Sequence, residues 1–291
     1  QIGSGGFGTI CLVKEKLSGK LMARKEMNYG TPEQIDMVNN EVRIILEMHE
    51  MFRSSSQSQN QFIHIVEPLG FFVDEEEFKA YLVMEYCEGG DLQKYIEDMK
   101  RNGKMITVED AWSTISQLVS AISQLHSHEI IHGDLKPSNV LLSRDRKIKL
   151  GDFGLARKLQ NGATYATANG FSWRFLGPEL LVTPASQQNA KGINLLNYKK
   201  ELRFSSDIWA LGVILFELLA LEHPFLNEDE NLPLLEKLKQ VIDNEPKPLP
   251  LHYPENMRNL ILRMLEKDPR QRITIKEIMK TPEIIACLAK K

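Results

Sequence analysis

Cysteine is scarce here: Cys11, Cys87 and Cys287 are odd in number and widely scattered, which excludes a disulfide framework. No CxxC pair or His/Cys cluster suggests zinc. A reducing compartment, cytoplasmic or nuclear, is the expectation. Long hydrophobic runs are absent too. The longest, Ile208 to Leu221, is interrupted by Glu217 and is too short for a bilayer, so it reads as a buried core helix. No secretory signal is expected from these residues, and no internal repeat is seen in them. Charge of neither sign dominates. A net charge of −3 gives no electrostatic reason to expect nucleic acid or an anionic membrane as partner. What is there is a globular composition, 42% hydrophobic and 26% charged, over 291 residues. That length suffices for a large core or for two lobes sharing a cleft. The chain opens at Gln1, without Met, on a glycine-rich turn, so an excised domain is expected.

The first third alternates strand signals with one helix. Ile10 to Val13 and Leu21 to Met27 read as strands joined through Leu17-Ser18-Gly19-Lys20. Thr31-Pro32-Glu33-Gln34 combines an N-cap, a proline suited to the first helical position and a capping-box glutamine. Ile35, Val38, Val42 and Ile45 continue at helical spacing. Met51 to Gln61, rich in Ser, Gln and Asn, reads as a surface loop. Two more strands are expected near Val66 to Val73 and Tyr81 to Glu85, and Gly89-Gly90 breaks the pattern. Beyond it helices dominate: Thr107 opens one with the stripe Trp112, Ile115, Val119, Ile122 and Leu125. Strands first and helices afterwards predict an α+β fold.

Four groups of residues carry chemistry. Gly3-Ser4-Gly5-Gly6-Phe7-Gly8-Thr9-Ile10 spaces its glycines as GxGxxG, which lets backbone amides approach phosphate oxygens. A strand rather than a helix follows, against a dinucleotide fingerprint. Glu41 lies on the edge of the apolar helix stripe, where an acid turned inward needs a cation, and Lys25 is the natural candidate. In His132-Gly133-Asp134-Leu135-Lys136-Pro137-Ser138-Asn139, Asp134 can accept a hydroxyl proton and Lys136 can hold a transferring phosphoryl group. Asn139 and Asp152, of Gly151-Asp152-Phe153-Gly154, can share a hard divalent metal. Phosphoryl transfer needs this collection, because its catalysis is mostly positioning and charge neutralisation.

The pattern resembles the eukaryotic protein kinase catalytic domain of Ser/Thr type, and the resemblance covers nearly the whole chain. Gly177-Pro178-Glu179 is similar to the end of the activation segment. Ser206 to Gly212 resembles the start of the central helix, and Arg272 stands where the family pairs an Arg with that Glu. Leu82 to Leu92 resembles the hinge, with wording similar to NEK-like kinases. The resemblance implies a bilobal fold: a small, mainly antiparallel β lobe with one helix over 1–87, its first strand truncated and the hinge included, and a mainly helical lobe over 88–291. It implies ATP and Mg²⁺ (or Mn²⁺) as cofactors and a protein substrate. Asp134 would be the base, Lys136 the γ-phosphate contact, Lys25 and Glu41 the nucleotide-orienting pair, and Asn139 and Asp152 the metal ligands. Nucleotide contacts would come from Ile2, Gly3, Ser4, Gly5, Gly6, Phe7, Gly8, Ile10, Ala23, Lys25, Met84, Glu85, Cys87, Asp91 and Leu141.

Three departures stand out. Gly133 replaces the family's Arg, which meets a phosphorylated activation loop, so Thr164, Tyr165 and Thr167 lose one phosphate partner. Activity less dependent on loop phosphorylation is the expectation. Thr183 to Phe204 is longer than usual for the family, and Ser172-Trp173-Arg174-Phe175 is atypical where the residue after the phosphoacceptor would lie. His-Gly-Asp also occurs in aminoglycoside- and choline-kinase-like small-molecule kinases, which lack the glycine loop and the Lys two residues after the base. A pseudokinase scaffold is the non-enzymatic alternative; it would usually lack Lys25, Asp134 or Asp152, and all three are present.

Overall fold

Alternation decides the first sheet. Along Leu21–Asn28, Ala23, Lys25 and Met27 take the buried face, and along Lys79–Glu85 so do Ala80, Leu82 and Met84. A computed structural model describes residues 1–5, 8–55, 62–159, 163–168, 172–181, 200–227 and 232–290. The chain folds into two compact units, one formed by 1–90 and 141–156, the other by 91–140 and 157–291.

The first unit is built on an antiparallel sheet of β1 (Gly3–Gly5), β2 (Gly8–Lys14), β3 (Leu21–Asn28), β4 (Pro68–Asp74) and β5 (Lys79–Glu85), in the order β1-β2-β3-β5-β4. Helix α1 (Pro32–Ser55) opens with the predicted box: Thr31 Oγ1 accepts from the Gln34 amide, and Gln34 Oε1 accepts from the Thr31 amide. The helix runs on to Ser55, through residues read from sequence as loop. Two contacts explain this. Phe52 is buried, and the Ser54 hydroxyl donates back to the Glu50 carbonyl, so serine is accommodated within the helix. The rest of that predicted loop, 56–61, lies outside the described residues. Segment 141–156 returns to this unit. Strand Ile148–Leu150 places Leu150 in a parallel bridge with Ile65, closed by the Val66 amide on the Leu150 carbonyl at 3.0 Å.

The second unit is mainly helical: α2 (Leu92–Arg101), α3 (Val108–Ser127), α4 (Pro178–Leu181), α5 (Phe204–Ala220), α6 (Leu234–Asp243), α7 (Glu255–Met264), α8 (Ile275–Ile278) and α9 (Pro282–Ala289). Thr107 caps α3 as its sequence position predicts, accepting from the Asp110 amide. Helix α5 is buried on every side, Trp209, Leu211, Ile214 and Phe216 included. Its apolar run therefore forms the centre of a core and not a membrane span. Among the described residues no helix is long and apolar enough to cross a membrane.

Candidate active site

The first unit gathers three of the predicted residues. Lys25 and Glu41 are both buried, and Lys25 Nζ lies 2.6 Å from Glu41 Oε1 and 2.8 Å from Asp152 Oδ1. Burial alone would push the Lys25 ammonium toward deprotonation, but the two carboxylates overcome it and hold its pKa above the ordinary value. Burial also raises the Glu41 carboxyl, with Lys25 pulling the other way. The pair is stable only as a unit, since either charge alone would be buried and uncompensated. Asp152 takes a left-handed backbone, φ 58°, a conformation that costs a non-glycine residue about 1 kcal/mol or more and concentrates at functional positions. Phe153, next to it, is fully buried.

The other first-unit candidates line the same sheet. Ala23 faces Met84 across the β3–β5 ladder, and Leu141 lies against Gly151. The Glu85 side chain accepts from the Glu67 amide at 2.7 Å and pairs with Lys149, while its own amide donates to the Glu67 carbonyl at 3.0 Å. Cys87 is buried, and burial pushes its thiol up to about 12, so it behaves as a packing group. Ile2 donates its amide to the Ile10 carbonyl, while Gly3, Ser4 and Gly5 pair with Ile10, Thr9 and Gly8. Gly8 has a reason of its own to be glycine. Its φ is 136°, and an added Cβ would fall 2.1 Å from the Glu26 carbonyl oxygen. Gly6 and Phe7 lie outside the described residues.

The second unit gathers Asp134, Lys136 and Asn139. Lys136 Nζ is 2.6 Å from Asp134 Oδ2, and Asn139 Nδ2 donates to the Asp134 carbonyl at 2.8 Å and to Oδ2 at 3.2 Å. Donation through Nδ2 leaves Oδ1 as the acceptor of that amide, the hard oxygen a divalent cation prefers. Asp91 belongs to this unit and caps α2, its Oδ1 accepting from the Lys94 amide at 2.8 Å.

Asp207, read from sequence only as the start of the central helix, is the clamp of this loop. Its buried carboxylate accepts from the His132 amide at 2.9 Å and the Gly133 amide at 3.0 Å, and its Oδ2 lies 2.9 Å from His126 Nε2. Burial works against that charge, but these donors more than offset it, and the carboxyl pKa is lowered. Gly133 turns through φ 79°, between the two clamped amides and Asp134. His126 and Ser172 are contributors that sequence reading did not assign. Ser172 Oγ receives Lys136 Nζ at 3.0 Å and so ties the segment before α4 to the catalytic-loop candidate. Glu179 and Arg272 form the expected latch, a two-pronged pair at 2.8 and 2.9 Å, with Arg272 also donating to the Ser205 and Glu266 carbonyls.

An antiparallel sheet with one long helix, together with a larger helical unit, is the architecture of the protein kinase domain. The chain belongs to that family: the model described as "Protein kinase domain" matches residues 1–284. Among curated proteins it is similar to serine/threonine-protein kinase Nek2 of Mus musculus, at 29% identity over 296 residues, covering 99% of this chain and 60% of that protein. It is 31% identical to the probable serine/threonine-protein kinase nek3 of Dictyostelium discoideum (97% of this chain, 23% of that protein), and 31% identical to the G2-specific protein kinase nimA of Emericella nidulans (98% and 40%). The chain thus spans less than two thirds of the length of these relatives. Use of ATP and a divalent metal is what the family implies.

Proposed function

We propose that this chain is the catalytic domain of a Ser/Thr protein kinase, transferring the γ-phosphoryl group of ATP to serine or threonine hydroxyls of proteins in a reducing compartment, cytoplasmic or nuclear. The observation that carries the reading is the Asp134–Lys136–Asn139 cluster, with Lys136 shared between Asp134 and Ser172. A base, a cation and an amide oxygen on one short loop are what an in-line phosphoryl transfer asks of a protein. The substrate hydroxyl oxygen bonds to the γ-phosphorus while its proton passes to Asp134. The bond from phosphorus to the β–γ bridging oxygen breaks, and ADP departs with that electron pair. Lys136 neutralises charge developing on the equatorial oxygens. Lys25, held charged by Glu41, is the contact for the nucleotide phosphates. Asn139 and Asp152 would hold Mg²⁺ or Mn²⁺, which supplies charge neutralisation of the phosphates when bound. The nucleotide contacts proposed are those of the glycine-rich turn, Ala23, Met84, Glu85, Cys87, Asp91 and Leu141.

The test is transfer from Mg-ATP to generic protein substrates by the unmodified chain beside Asp134→Asn. Loss of the base is expected to lower kcat by roughly 10²–10⁴ while ATP binding persists. ATP binding without transfer by the unmodified chain would favour a scaffold. Transfer to an aminoglycoside or choline but not to protein would favour a small-molecule kinase.

A further inference from the structure

The turn that follows Ser172 carries a charge into a cleft. Trp173–Phe175 is a single 3₁₀ turn, closed by the Phe175 amide on the Ser172 carbonyl at 3.0 Å. His223 pins it, its Nε2 donating to the Arg174 carbonyl at 3.0 Å. Arg174 is thereby held at the wall of a cleft of about 700 Å³, framed by α2, the end of α5, α6 and the turn itself. That is room for a side chain of an incoming peptide. Phe175 lines this cleft and also a smaller cavity shared with Asp134 and Ser172, so the cleft opens one side chain away from the candidate base.

The charges of the cleft are ordered by depth. Glu217 of α5 is its inner acid, the side chain a tenth exposed, whereas Arg174 is half exposed, with Nη2 3.5 Å from Glu217 Oε1. Burial raises the Glu217 carboxyl and Arg174 pulls it back, so the guanidinium is what compensates that acid. The other two acids of the lining are engaged as well: Glu97 accepts from Gln93 Nε2 at 2.8 Å, and Glu222 from Lys247. Lys100 and Lys237 add positive charge to the walls. A cation arriving from solvent must displace Arg174 to reach Glu217, and two cations then compete for one carboxylate. An arriving carboxylate meets the exposed half of the guanidinium, whose planar fork matches it. We propose that Arg174 makes this cleft a subsite for an acidic side chain, Asp or Glu, of the protein substrate, and that it turns Arg and Lys away. Glu217 alone would select a cation; Arg174 occupies it from within the chain and reverses the sign of the selection. That the occupant is a substrate rests on the kinase reading, whereas the preference of the cleft for an acid does not.

Two measurements decide it, and the second needs no transfer. In the first, peptides with a single serine acceptor carry Glu, Gln or Arg at each neighbouring position in turn, and kcat/KM with Mg-ATP is read for the full chain. At one position Glu should exceed Gln roughly tenfold, and Arg should fall below Gln. Arg174→Gln should bring the Glu-to-Gln ratio close to one, and Arg174→Lys should keep part of it. Glu217→Gln should leave the preference for Glu standing, because the cation remains. The double variant Arg174→Gln/Glu217→Gln strands no buried charge and gives the readout of Arg174→Gln should that single variant not fold. Absence of any position that prefers Glu would overturn the proposal, as would a ratio unchanged by Arg174→Gln, or a preference for Arg that Glu217→Gln removes. In the second, NMR follows the Arg174 Nε–H signal, assigned as the one lost in Arg174→Lys. The Glu and Arg peptides, with alanine in place of the acceptor serine, are titrated in without nucleotide. A Glu peptide should shift that signal to saturation and the matching Arg peptide should not. No shift with any peptide, or equal shifts with both, would refute the subsite. Absence of transfer to every peptide would sink the kinase reading alone, and the titration would still decide the charge preference of the cleft.

Discussion

His223 shows how much one neutral imidazole can fix. Its Nδ1 accepts from the amides of Phe225 and Leu226, both at 3.2 Å, so the ring proton belongs on Nε2, which donates to the Arg174 carbonyl at 3.0 Å. Burial foremost, with the positive charges of Arg174 and Lys247 adding to it, lowers its pKa from 6.5 to about 3. A histidine depressed in the folded state is protonated first in the unfolded chain. Its contribution to stability is therefore complete above about pH 6.5 and is lost as pH falls toward about 3. His223→Phe should cost about 1–3 kcal/mol at pH 7.5, because two buried amides lose their acceptor. It should also flatten the decline between pH 6 and pH 4. Urea unfolding across that range checks both, and parallel curves for the two proteins would refute the assignment.

At the scale of elements, the Glu179–Arg272 pair joins the start of α4 to the residues before α8. The Arg272 side chain is wholly buried over the Trp209 ring, 4.9 Å from its centre, so it depends on its partners for compensation. Glu179→Ala should destabilise the chain by about 3 kcal/mol, and the double variant Glu179→Ala/Arg272→Met by less than the sum of the singles. Chemical denaturation of the four proteins measures this, and strict additivity would contradict it. Elements were legible in the sequence where their causes are local. The Thr31/Gln34 box and the Thr107 cap each act over three residues, and both are where the sequence puts them. The clamp from Asp207 to His132 spans 75 positions, and nothing in either segment announces the other. Lys25 and Glu41 were legible for a mixed reason: helix periodicity turned the acid inward, and the cost of an unpaired charge named its partner. Ser54 misled because serine content signals loops, whereas here its hydroxyl bonds back to Glu50 and the helix continues.

For the molecule as a whole, the division into units does not follow the order of the chain. The backbone passes from one unit to the other after Gly90, after Val140 and after Ala156. Residues 1–90 made alone would therefore lack Leu150, whose carbonyl and amide bond to Val66 and His64, and would lack Asp152, which shares Lys25. Such a fragment should exchange the amides of Val66 and Leu82 with solvent far faster than the full chain does. Equal protection in the two would show that the first unit is self-sufficient. The same feature sets a schedule for synthesis. On the ribosome the sheet and α1 emerge first, but Leu150, which bonds to His64 and Val66, is translated only after α2 and α3. The Val66 amide and the His64 carbonyl lack those partners through that interval, so translation speed across residues 91–140 becomes a determinant of how much of the chain escapes aggregation.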